Sequence, residues 1–146
     1  MCIRDSITDL PKITQFLSKI ELHNKNSAAA FTLAEKSLSI SKDHDFVKEE
    51  FNSYLLLSHL HTSQGQHEKS ILYANKVFKH ATEKEDFELL YQSADKLANS
   101  YHITGDHEKS YHFRTEHQKA KDQYVNSQNI IAITGKTTKY LSLIHI

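Results

Sequence analysis

Eleven histidines in 146 residues are the side chains of this chain most able to do chemistry, and that chemistry would be metal ligation. A metal site on a helix needs ligands that share a face, three or four residues apart. His107, His112 and His117 step by five, so each step turns about 140° around a helix and the three share no face. His59 and His61 lie two apart and point away from each other. His107-Glu108 has no second His four residues after the first, so the zinc-protease motif is not met. We expect no metal and no cofactor.

The segment Ile130-Ile131-Ala132-Ile133-Thr134-Gly135-Lys136-Thr137 ends as a phosphate-binding loop does. That loop needs a Gly five residues before its Gly-Lys, so that bare backbone can wrap phosphate. Ile130 stands there, and no βαβ pattern surrounds it. No Ser-His-Asp, Cys-His or paired-carboxylate set assembles at defined spacing, so the expected chain is not an enzyme.

The elements that position these residues are set by a repeat. Gly65-Gln66-His67-Glu68-Lys69-Ser70 returns forty residues later as Gly105-Asp106-His107-Glu108-Lys109-Ser110. A fixed period of that size marks stacked helical repeats. Tyr54, Leu57, Leu60 and His61 follow the spacing of one helix face, and Gly65 suits a left-handed helix end. Ser70, Ala74, Val77 and Phe78 form the stripe of the next helix. Shifting forward by forty gives Leu97, Ala98, Tyr101, Gly105, Ser110 and Phe113. Shifting back predicts that Phe16, Leu17 and Ile20 face inward, with Ala30, Ala34 and Leu38 on the second stripe. Asn24-Lys25-Asn26 replaces the Gly turn, with Asn as the left-handed residue. Asp9 is expected to cap a helix with Pro11 in its first turn. Helices are predicted at about 11–23, 27–41, 45–63, 66–81, 86–103 and 106–124, with another over 126–140. His67 and His107 are expected to be half-buried packing residues.

The two ends are read as something other than protein sequence. Met1-Cys2-Ile3-Arg4-Asp5-Ser6 can be encoded by ATG TGT ATA AGA GAC AG, whose reverse complement encodes Leu-Ser-Leu-Ile-His-Ile, the last six residues. Residues 1–6 and 141–146 are therefore expected to be translated sequencing adapter, and 7–140 an internal, metagenomic piece of a longer protein. Basic and acidic residues balance at 18 each and are interspersed, which argues against nucleic acid or an anionic membrane as partner. Met1 and Cys2 are the only Met and Cys, so compartment stays open: cytoplasmic, or periplasmic if the piece belongs to a membrane sensor.

With these positions fixed, the chain resembles a tetratricopeptide repeat array across 11–124. Tyr54, Leu57 and Ser58, then Leu97 and Ala98, match the family's first helix, and Ser70 and Ala74 its second. Gly65-Gln66-His67 and Gly105-Asp106-His107 stand at its Gly-Asp-Tyr turn. Departures are Ala94 for an aromatic, Arg114 for a packed residue, no closing Pro, and a period of forty rather than the usual 34. The resemblance implies an all-α, right-handed superhelical solenoid of three helix pairs plus a C-terminal helix. The pairs would span about 11–41, 45–81 and 86–124, within an array at 7–124, with 125–140 as exit or cap. It also implies a concave groove for a protein or peptide. Carried over, the groove residues are Lys12, Gln15, Lys19, Asn52, Leu55, His59, Gln92, Asp95, Asn99 and His102. Leu55 and Asp95 stand where the family's carboxylate clamp would need donors, and Asp95 would repel a carboxylate.

A narrower similarity, to the sensory arrays of bacterial histidine kinases and helix-turn-helix regulators, implies an interaction module of a larger signalling protein. The exit segment then runs through Lys121-Asp122-Gln123-Tyr124 to Thr137-Thr138-Lys139-Tyr140. The alternatives are a soluble scaffold without signalling output, or the accessory domain of an enzyme whose catalytic part lies elsewhere. The oligomeric state stays open.

Overall fold

The computed structural model describes residues 3–144, with side chains described for residues 7–136 and for Leu141. Met1, Cys2, His145 and Ile146, all assigned above to adapter, lie outside it. The described residues form six helices: α1 (Ile3–His23), α2 (Ser27–Asp43), α3 (Val47–Ser63), α4 (His67–Lys84), α5 (Phe87–Thr104) and α6 (His107–Ile144). Each packs on the next in sequence, as connectors of two or three residues require of antiparallel neighbours. Beyond these neighbours, α1 meets α3 and α3 meets α5, and no other pair is in contact among the described residues. The first helices of the pairs thus form one row.

Small residues let the helices approach. Ala30, Ala34, Ser37 and Ser41 on α2 recur forty residues on as Ser70, Ala74, Val77 and Ala81 on α4, all fully buried. Their 4-3-4 spacing keeps them on one helix face. Leu56, Leu57 and Leu60 of α3 pack against Ala30 and Ala34, while Tyr54 and Leu89 pack with Val77 and Ala81. A buried hydroxyl must find a partner. Ser18 Oγ donates to the Ala30 carbonyl at 2.7 Å, and Ser58 Oγ to the Ser70 carbonyl at 2.9 Å. In the third pair the first helix carries Ala98, and the bond runs the other way: Ser110 Oγ donates to the Ala98 carbonyl at 2.9 Å.

A buried polar network joins the first three helices. Ser37 Oγ donates to the Pro11 carbonyl at 3.1 Å and lies 2.8 Å from Ser53 Oγ. Gln15 Nε2 reaches Ser37, Ser53 and the Glu49 carboxylate, the last at 3.1 Å. Glu49 is nearly buried, so this amide supplies a donor that solvent largely cannot.

Five local expectations are corrected. Phe16, Leu17 and Ile20 do not face inward: they are 64%, 42% and 39% exposed, because among the described residues α1 meets only α2 and α3, and neither covers that face. The buried face of α1 is Pro11, Thr14 and Ser18. Pro11 lies inside α1 rather than in its first turn, so Asp9 caps nothing. The left-handed residue of the first turn is Lys25, at φ 63°, in register with Gly65 and Gly105 at 74° and 92°. Asn26 instead caps α2, its Oδ1 accepting from the Ala29 N–H at 3.4 Å. The helix expected at 126–140 is not separate, since α6 runs unbroken for 38 residues. No proline interrupts it, and one Gly costs too little to end a helix. His67 is half-buried, with a buried Nδ1 lacking a hydrogen-bond partner, whereas His107 is exposed with its ring 5.5 Å from that of His102.

Candidate functional site

The row of first helices encloses a cleft of about 530 Å³. Gln15 and Lys19 line it from α1, and Asn52, Leu55, Leu56 and His59 from α3. Glu88, Tyr91, Gln92, Asp95 and Lys96 line it from α5, and His117 from α6. Of the ten residues read from the sequence, Gln15, Lys19, Asn52, Leu55, His59, Gln92 and Asp95 come together here. Lys12, Asn99 and His102 do not line it. The lining residues shift toward the helix N-terminus from α1 to α5, so the cleft crosses the row obliquely. Reading straight across by forties therefore overshoots at both ends.

Leu56, Glu88, Tyr91, Lys96 and His117 were not foreseen. Lys96 had a signal: it stands forty residues after Leu56, a cation in an apolar register. His117 could not be read from the first helices, because it reaches in from α6. Its Nδ1 donates to the Tyr91 carbonyl at 2.8 Å, and its ring meets Tyr91 edge-on.

The electrostatics centre on His59 and Lys96. The Lys96 ammonium donates to His59 Nδ1 at 2.9 Å, across from α5 to α3. A ring nitrogen that accepts from an ammonium is unprotonated, so His59 carries its proton on Nε2. Crowding by surrounding protein, then the charges of Lys96 and Lys19, push the His59 pKa below its ordinary value. Burial also lowers the pKa of Lys96, and neighbouring Asp95 partly restores it. Lys19, His59 and Lys96 thus gather donors at one place, with Asp95 and Glu88 as carboxylates on the α5 side. Gln15 turns its amide nitrogen to the buried network, leaving its carbonyl oxygen as the group that can meet a ligand.

The wall offers amides, one aromatic ring, two cations and two carboxylates. It can hold a chain with polar groups at intervals. Among the described residues, no group of three or more His, Cys, Asp or Glu is placed to hold a metal ion. No described helix is long and apolar enough to cross a membrane. The chain matches no protein-family model and no curated protein.

Proposed function

We propose that this chain is a non-catalytic, peptide-binding module of tetratricopeptide type, its three helix pairs stacked as a right-handed superhelical solenoid. The observation that carries the reading is the cleft itself. The first helix of every pair contributes to it, and Gln15, Leu55 and Asp95 do so at intervals of forty. Asn52 and Gln92, also forty apart, are placed to pair with the backbone of an extended peptide. Lys19 and Lys96 favour an acidic side chain lying over His59, and Asp95 and Glu88 favour a basic one beyond it.

The test is selection of a random dodecamer display library on the full chain, followed by titration of the best labelled peptide. The expected result is an acidic residue in the selected peptides and at least a tenfold loss of affinity in Asn52→Ala with Lys96→Met. Arg114→Ala, on the exposed side of α6, should leave affinity unchanged. Selection of no peptide, or equal binding by the cleft variant, would sink the reading.

The module is best placed within a larger bacterial signalling protein. What supports this is α6, which touches the cleft through His117 and, at 38 residues, is far longer than the 18-residue α5 it packs on. A bound peptide that leaves hydrogen exchange in the second half of α6 unchanged would favour the scaffold without output.

A further inference from the structure

Among the described residues Lys96 is the one lysine that is not exposed. It stands on α5 where buried Leu56 stands on α3, forty residues earlier, and it lines the cleft. Its ammonium donates to His59 Nδ1 at 2.9 Å and makes no ion pair among the described residues, whereas Lys48, Lys109 and Lys119 each meet a carboxylate. A lysine in water holds its proton tightly: at pH 7 only about one amine in 2,500 is neutral and able to act as a nucleophile. The surroundings of Lys96 favour the neutral form. Burial lowers its pKa, and Asp95 only partly opposes that. The other titratable groups lining the cleft are Lys19 from α1, His59 from α3, Glu88 from α5 and His117 from α6. Of these, the His59 imidazole already accepts from the ammonium, so it is placed to carry the proton away.

We propose that Lys96 is a covalent acylation site, reacting within the cleft with acyl phosphates while His59 removes the proton. The neutral amine attacks the carbonyl carbon. A C–N bond forms, the bond from that carbon to the phosphate oxygen breaks, and the electron pair leaves with phosphate. Of the three ammonium protons, one stays on the amide, one leaves on hydrogen phosphate, and one passes through His59 Nδ1 to solvent. Phosphate fits this cleft better than an uncharged leaving group because Lys19 brings a second cation to the same wall. The product replaces a charge that has no paired carboxylate by a neutral amide, which relieves the cost of holding that charge partly out of water.

The probe is acetyl phosphate, incubated with the full chain near neutral pH, with the acetylation rate of each lysine read by mass spectrometry. Lys96 should react at least tenfold faster than the median lysine, and that lead should vanish in urea. His59→Asn keeps a hydrogen-bond acceptor but supplies no base. It should slow Lys96 at least fivefold, with circular dichroism and the other lysines unchanged. Lys19→Met should slow the reaction of Lys96 with acetyl phosphate and leave its reaction with an uncharged acetyl ester as it was. A Lys96 rate at or below the median, a lead that survives in urea, or indifference to His59→Asn overturns the proposal. Equal effects of Lys19→Met on both reagents overturn the assignment to acyl phosphates.

Discussion

Leucine stands at three positions forty residues apart, Leu17, Leu57 and Leu97, and the structure treats them unequally. Leu57 and Leu97 are 2% and 0% exposed, whereas Leu17 is 42% exposed. Truncation to Ala removes the same atoms at each site. At Leu57, packed among Ala30 and Ala34, and at fully buried Leu97 it leaves a closed cavity, so the cost should be about 3 kcal/mol, within the usual 2–5. At Leu17 nearly half of the lost surface already faces water and no closed cavity forms, so transfer alone predicts about 1 kcal/mol or less. For a chain of this size that separates a fall of roughly 10 °C in melting temperature from one of about 3 °C. Urea unfolding followed by far-ultraviolet circular dichroism measures all three on one scale. Equal costs at Leu17 and Leu57 would refute the reasoning, for they would mean that the outer face of α1 is covered in solution by the chain itself.

Further outcomes follow from single contacts. Lys25→Gly should raise stability by about 1 kcal/mol, because Lys25 holds a left-handed backbone at φ 63° that Gly adopts without steric cost; no gain in urea midpoint would count against that geometry. Ser58→Ala should cost about 1 kcal/mol by removing the bond to the Ser70 carbonyl, while Ala98→Ser should be nearly neutral because Ser110 already fills that role. His59 should titrate below about 6.5 by nuclear magnetic resonance and move up toward it in Lys96→Met. The sign for stability follows: the unfolded chain takes the proton first, so stability is lost as pH falls from about 6.5 through the folded pKa. An anionic peptide over His59 should reverse that trend, binding more tightly and taking up a proton as pH falls.

Helix content and the buried small stripes were legible because Ala30, Ala34, Ser70 and Ala74 recur in register, and periodicity reports directly which positions share a face. Periodicity does not report whether a neighbour is present. Leu17 and Leu57 look alike in sequence, but among the described residues a helix covers Leu57 and none covers Leu17. The turn at Lys25 misled for a similar reason: residue preference pointed to Asn, but register with Gly65 decided. Seven of the cleft's lining residues followed from the groove positions that the resemblance implied on the first helices. Lys96 and His117 were missed because the first breaks the apolar register and the second enters from another helix.

The 38-residue length of α6 has a mechanical meaning. His117 sits at the cleft wall, and the helix continues for 27 further residues, about 40 Å of lever arm at 1.5 Å per residue. A tilt of about 5° at that fulcrum would swing the far end by roughly 3.5 Å, more than the length of a hydrogen bond. Over the described part beyond Tyr124, few side chains are buried to resist such a swing. Side-chain movements of an ångström beside Tyr91 would therefore be geometrically magnified several-fold where α6 ends.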